Sequence, residues 1–339
     1  MAIAQRLTTA DTASNAEDSD SGFDWVASIR RVADLLRTEP ALAPSADLKP
    51  TPREFRRRIA VLNELQARLD PMLRAQARTK VPTVSDAPID RALIRALEQG
   101  EGLRVVYQPV HDLLTRRIVS AEALVRWRHP VFGDISPAVM IPAVHRLHLG
   151  GELLAFVQSQ VIRQLTALNA RRLAVPIAIN ASSNVLCAPG LARSLATSLR
   201  EASLPASLLK IEMTEDVETP SLPHLEGAMV ELRCARLNLS LDDFGSGHST
   251  PQLLSHLAFD ELKVDASLVR RLMTCELSRA FVKETIEFGR VFGIQVVAEG
   301  IQDQASASLL YAMGCDRGQG FLFSRPMEGD RFRELLSEG

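Results

Sequence analysis

The chain has 339 residues, of which 46% are hydrophobic, and a formal net charge of −2. That length allows two domains or one large barrel with an appendage, at about 150 residues per domain, and the near-neutral balance excludes a global pull toward DNA or an anionic membrane. Four dispersed cysteines without a CxxC pair, no apolar run of spanning length and no apolar leader near Met1 exclude a disulfide framework, a zinc knuckle, a membrane span and a signal peptide, so a cytoplasmic protein is expected.

Residues 1–22 are rich in Ala, Ser, Thr and Asp, with nothing large to bury, and are expected to be a disordered tail. Residues 23–85 read as a helical N-terminal region with a Pro-rich linker. Its first helix, FDWVASIRRVADLLR, puts Trp25, Ile29 and Leu36 on one face, suited to packing on the main domain or to docking a protein partner. After Pro40, Pro44, Pro50 and Pro52, a second helical pattern runs from Arg53 to about Arg78, with Phe55, Ile59, Leu62, Leu69 and Leu73 as its seam. Pro71 is expected to kink or divide it. Its charges, eight basic against three acidic from Arg53 to Lys80, fit a solvated face. The seam, with Gln66 as a polar seam position, could instead pair with a second copy as a regulatory or dimer helix.

Past Pro88 the pattern changes. A helix from Ile89 to Gln99 is followed by apolar strand-like runs at 103–110, 118–127, 176–182, 208–215, 237–244, 260–265, 294–300 and 320–326. Helical stretches separate the later runs, at 151–170, 191–202, 225–235 and 278–291. Strands alternating with helices imply parallel pairing and right-handed crossovers, and eight of them suggest a closed barrel. Only seven residues, HDLLTRR, join the first two strands. That is too short for a crossover helix, so these two form an antiparallel hairpin. The expected fold is a barrel with one reversed strand.

In such barrels the reactive groups sit at the carboxyl ends of the strands. The polar exceptions fall there: Glu122 with Arg126, Asn180, Glu212 with Glu215, the tandem Asp242-Asp243, Lys263 with Asp265, and Glu299 before Gly300; Gly318-Gln319-Gly320 leads into the last strand. Adjacent strand residues point to opposite faces, so only one of the two Asp side chains points inward unless the strand ends or twists there. Two carboxylates beside apolar surface repel each other and lose hydration, and a divalent cation relieves both. The inventory is rich in oxygen and lacks Cys and His, which suits Mg²⁺ or Mn²⁺ more than zinc.

The segments EALVRW from Glu122, INAS from Ile179, IEMTE from Ile211, LDDFGSG from Leu241, LKVD from Leu262, VAEG from Val297 and GQGFLFSRP from Gly318 resemble, in order and spacing, the EAL domain, the phosphodiesterase that hydrolyses cyclic di-GMP. The resemblance covers about Ile89 to Leu336 and marks residues 89–337 as the barrel domain. It implies an α/β fold, a modified (β/α)₈ TIM-like barrel with an antiparallel first strand, and metal-dependent hydrolysis of one phosphodiester bond to give linear pGpG. It further implies a two-metal site for Mg²⁺ or Mn²⁺, inhibition by Ca²⁺, which binds without turnover, and a homodimer.

By position, the resemblance makes Glu122, Asn180, Glu212 and Asp242 ligands of one metal and Asp242 with Asp243 ligands of the other. Glu299 corresponds to the carboxylate that assists the attacking water, and Lys263 to the lysine that holds that water. Glu122, Lys263 and Glu299 are thus the catalytic set. Arg126 corresponds to a phosphate-binding arginine, Gln108 and Gln319 to guanine-edge contacts, and Glu215 to the glutamate that steadies the loop after the Asp pair. The chain departs from the family pattern at His248 (usually Tyr), at Gln302 (usually Glu) and at Val144-His145, where Glu usually follows the Ile-Pro pair. These departures leave two alternatives to an enzyme: a silent cyclic di-GMP receptor, or a protein-interaction module.

Overall fold

A computed structural model describes residues 51–74, 86–214, 220–246 and 251–338. The expected tail, the first helix, most of the Pro-rich linker, Glu215 and His248 lie outside the described residues.

Helix α1 (Pro52–Arg74) starts on a capping pattern. Pro52 takes the first helical position, and the Thr51 hydroxyl accepts from the Glu54 N–H at 3.1 Å. The helix runs on through Pro71, so of the two effects expected of that proline, division does not occur. A proline inside a helix costs ~3 kcal/mol, whereas burying a large apolar side chain contributes ~1.5–3 kcal/mol. Phe55, Ile59, Leu62 and Leu69 are all buried, so the packed face outweighs the proline. That face lies on helix α9 (Glu276–Phe292) and on the turn Pro251–Ser255. Phe55 meets Phe288 and Phe292 at centroid distances of 5.5 and 5.1 Å, and Arg58 pairs with Glu284 at 2.8 Å. Gln66 is buried in the same row. The seam read as a site for a second copy is therefore filled within the chain.

Helix α2 (Asp86–Gln99) precedes strands β1 (Leu103–Asp112) and β2 (Ile118–His129), which form the expected antiparallel hairpin, with Gln108 opposite Glu122. A short strand β3 (Gly133–Ile135) extends β2 outside the barrel, and helices α3 (Pro137–Arg146) and α4 (Gly150–Asn169) follow. The chain then alternates through β4 (Ile177–Ser182), α5 (Ser183–Leu186), α6 (Leu191–Glu201), β5 (Leu209–Thr214), α7 (Leu222–Cys234), β6 (Asn238–Phe244), β7 (Glu261–Val264), α8 (Ala266–Val269), α9 and β8 (Gln295–Ala298). Helix α10 (Gln304–Ala312), β9 (Arg317–Gly318), β10 (Met327–Glu328) and α11 (Gly329–Glu338) complete it. From β2 through β4 to β9 every neighbouring pair is parallel, and β9 closes on β1, which is antiparallel to both neighbours. The result is an eight-stranded closed barrel with one reversed strand, and β10 lies outside it on β1.

The eighth strand is not where the apolar pattern put it. Residues 320–326 form a turn, and only Arg317–Gly318 pair as strand. Gly320 passes so close to Ile301 that a Cβ would lie 2.1 Å from the Ile301 carbonyl oxygen. The Leu322 N–H donates to that oxygen at 3.1 Å, and Phe323 and Ser324 donate back to Gly320. The backbone groups a strand would spend on a ladder are satisfied by this turn.

Alternation places Ile177, Ile179, Leu209, Ile211, Leu239, Leu241 and Leu262 against the helices, all at most 1% exposed. The opposite faces line the barrel interior in two tiers. In the lower tier Lys210 pairs with Glu261 at 2.6 Å, and the Ser240 hydroxyl donates to the other Glu261 oxygen at 3.0 Å. Two residues further along the strands lies the upper tier of Glu122, Asn180, Glu212, Asp242 and Lys263. Among the described residues no helix is long and apolar enough to cross a membrane.

Candidate active site at the carboxyl ends of the strands

Lys263 is the centre of the upper tier. From β7 its ammonium reaches Glu122 on β2 (3.2 Å), Asp242 on β6 (3.1 Å), Glu299 just after β8 (2.6 Å) and Glu212 on β5. Side chains from strands on opposite sides of the barrel can meet only by pointing inward. Glu212 is fully buried and Lys263 is 3% exposed.

Glu122 is the most heavily bonded of the carboxylates. Besides Lys263, it accepts from the Asn180 amide at 2.9 Å and the Gln319 amide at 3.0 Å. Burial pushes its carboxyl upward, but Lys263 and these two donors outweigh burial and hold it below the usual range. Glu212 and Glu299 go the other way: burial raises both well above the carboxylate range, and neighbouring carboxylates add to the effect of burial. Burial also raises Asp242. Lys263 stays firmly cationic because the surrounding carboxylates more than offset its own burial.

The tandem Asp pair avoids opposite-face geometry through a bulge. The β6–β7 register shifts between Leu241 and Phe244, and Asp243 takes φ of 49°. Both Asp carboxylates thereby come close to Glu299, with one oxygen of each residue within 4.8 Å of the others. Asp243 keeps an exposed side, yet the protein packed around its carboxyl, together with Asp242 and Asp265, pushes it up to about 8. The bulge is locked from behind: Phe244 is fully buried against Phe281, and at Gly245 (φ 93°) a Cβ would sit 2.5 Å from both Leu268 and Phe281.

A second triad, Glu122, Glu212 and Glu299, satisfies the same distance limit. The sequence reading made Asp242 the shared ligand, whereas the carboxylate common to both triads is Glu299. Four carboxyl groups surround one ammonium, with the more exposed Asp243 beside them, so ionising them together would put negative charge in excess in a confined space. Such an excess is costly without further cations. Two oxygens point to where one belongs. Asn180 and Glu212 are partners on adjacent strands, and Asn180 Oδ1 and Glu212 Oε2 are buried with no hydrogen-bond donor. The donors are all oxygen, so the residues fit a hard divalent cation.

The remaining expected residues divide. Arg126 borders a cleft of about 270 Å³ shared with Ile141, His145 and Asn180, and bonds the Val125 carbonyl at 2.8 Å. Gln108 reaches the Ser324 carbonyl at 3.5 Å. Gln319, expected at a guanine edge, is 3% exposed and turned onto Glu122. Gln302 is exposed. The sequence reading missed the turn after Gln319, which packs Phe323 on His111 and Arg116. There Phe321 is half exposed, with the Arg325 guanidinium 4.3 Å from its ring centroid. Its signal was the pair of glycines flanking Gln319, which mark a turn more than a strand.

The family model described as the EAL domain matches residues 90–326. Rv1354c of Mycobacterium tuberculosis is 35% identical over 251 residues, which are 74% of this chain and 40% of that protein. The cyclic di-GMP phosphodiesterase PA2567 of Pseudomonas aeruginosa is 31% identical over 245 residues, 72% of this chain and 42% of its own length. The chain thus spans about two fifths of these curated relatives. Among solved structures, the PaMucR phosphodiesterase in complex with c-di-GMP superposes with a TM-score of 0.66 at 30% identity, covering 71% of this chain and 98% of that one.

Proposed function

The chain belongs to the EAL domain family, and from that premise we propose that it hydrolyses one phosphodiester bond of cyclic di-GMP to give linear pGpG. The observation that carries this reading is the Lys263 cluster: four carboxylates from different strands on one ammonium, beside the unpartnered oxygens of Asn180 and Glu212.

In this reading Glu122, Asn180, Glu212 and Asp242 would hold one Mg²⁺ or Mn²⁺, and Asp242 and Asp243 would hold a second; Ca²⁺ would take the same ligands without supporting turnover. When bound, the cations supply charge stabilisation at the phosphate and an acidified water. Glu299 takes the proton of the attacking water, whose oxygen bonds to phosphorus as the P–O3′ bond breaks, and O3′ leaves as a hydroxyl with a proton from solvent. Lys263 holds that water and offsets charge on the phosphoryl oxygens. Arg126 offers a fork of donors to a phosphate oxygen. Gln108 offers an amide to a guanine edge, as Gln319 would after turning from Glu122, and Glu215 steadies the loop after the Asp pair. Asn180 and Gln319 orient Glu122 through the hydrogen bonds they donate.

The protein works in the cytoplasm in this reading, as a homodimer. Its contact lies outside the α1 seam, and the region before α1 is left for a protein partner. The test is a product assay on cyclic di-GMP with Mg²⁺ or Mn²⁺. The expected outcome is pGpG, abolished by chelation, by Ca²⁺ replacement and by Glu122→Ala. Folded, metal-loaded protein that binds the dinucleotide and forms no pGpG would instead be a receptor.

A further inference from the structure

At the other end of the barrel, where the parallel strands begin, a cleft of about 630 Å³ opens between the β1–β2 connection, the segment before β4 and the end of α11. Ligand pockets run from ~300 to ~1,000 Å³. Three arginines, Arg116, Arg117 and Arg172, line it. Arg117 and Arg172 form no ion pair among the described residues. Arg116 is held in place, its guanidinium 4.9 Å from the Phe323 ring centroid and bonded to Gln304 at 3.0 Å. The nearby carboxylates are taken: Asp112 accepts from Leu114 and Thr115, and Glu338 pairs with Arg331 at 3.1 Å.

An independent observation points to a ligand. His111, at the end of β1, lines the same cleft, is 7% exposed, and leaves Nδ1 buried without a hydrogen-bond partner. Its ring is stacked on Phe323 at 5.2 Å, which fixes its direction. Burial, reinforced by Arg116, lowers its pKa to about 4, so near neutrality the ring is uncharged and bonds as a neutral donor or acceptor. Leu173, Leu335 and Leu336 supply an apolar wall beside the charges.

We propose that this cleft binds a phosphate-bearing small molecule, its phosphate on Arg117 and Arg172 and its remaining polar edge on His111. Arginine forks match phosphate oxygens in geometry and charge. The site is on the rim opposite the carboxylates and does not depend on the reaction proposed there.

The test is calorimetry on the full chain in chelator, with AMP and with inorganic phosphate as probes. Saturable binding is expected, weakened about tenfold or more by Arg117→Glu with Arg172→Glu, as loss of charge-assisted bonds requires, and kept in Arg126→Ala at the mouth. AMP binding tighter than phosphate assigns an organic phosphomonoester, and equal binding assigns the free anion. Arg172→Ala, the milder change, must weaken binding in the same direction. No saturation by either probe up to about 10 mM overturns the proposal, as does binding lost in Arg126→Ala but kept in the double variant.

Discussion

Asn180 and Glu212 stand directly opposite each other on adjacent parallel strands, and each keeps a buried oxygen that no donor reaches. Unsatisfied buried oxygens cost about 1–3 kcal/mol each, and a fold keeps such a pair where something else completes it. In the proposed reading Glu212→Gln removes a metal ligand, and it replaces a carboxyl that burial already holds toward its neutral form. Its metal-free form is expected to melt close to the parent, while the stabilisation by Mn²⁺ disappears. Thermal melts with Mn²⁺ and with chelator measure both. A variant that keeps the Mn²⁺ shift would remove Glu212 from the ligand set.

Lys263 is the opposite case, since it is the ammonium on which Glu122, Glu212, Asp242 and Glu299 converge. Breaking a buried ion pair from one side costs about 3–5 kcal/mol. Lys263→Met is expected to lose that much stability in chelator, read from urea midpoints, and to recover part of it on adding Mg²⁺.

The fit of Phe55 between Phe288 and Phe292 predicts that Phe55→Ala costs about 3–5 kcal/mol, the usual loss for a buried aromatic. Because the α1 seam is filled within the chain, the same variant leaves the molar mass by light scattering unchanged. A fall in mass would return that seam to an intermolecular contact.

His111 gives a pH prediction. Its folded pKa of about 4, below the ordinary 6.5, means that unfolded chains bind the proton first as pH falls. The stability it confers is complete above about 6.5 and is lost progressively as pH drops toward 4. In His111→Phe that part of the pH dependence flattens, as stability curves from pH 4 to 7 would reveal. An unchanged slope would mean that other groups set it.

Much of this architecture could be read directly from residue order. The HDLLTRR connection is too short for anything but a hairpin, so the reversed strand followed from loop length alone. The strand-end acids were legible because charge inside an apolar run is rarely placed without a partner. Other features depend on contacts that local pattern does not carry. The apolar run after Gly320 has the composition of a strand, yet its close passage over Ile301 makes it a turn. Asp243 has the sequence position of an outward residue, and only the β6 bulge brings it round. Pro71 obeyed tertiary packing on α9 over its local preference. Gln319 stood at the expected place in the chain, but its direction was set by Glu122.

The Lys210–Ser240–Glu261 tier has a consequence for traffic. It pairs a cation with an anion and fills the barrel interior beneath the carboxylates, so among the described residues the upper tier is approached from the carboxyl ends of the strands. In the proposed reading, ions, substrate and products would then pass through that same end. A dinucleotide seated there would stand between the metals and any chelator in solution, and metal loss would be slowest while the chamber is occupied. Timed chelation with and without bound dinucleotide, in Ca²⁺ to prevent turnover, would reveal that order of exit.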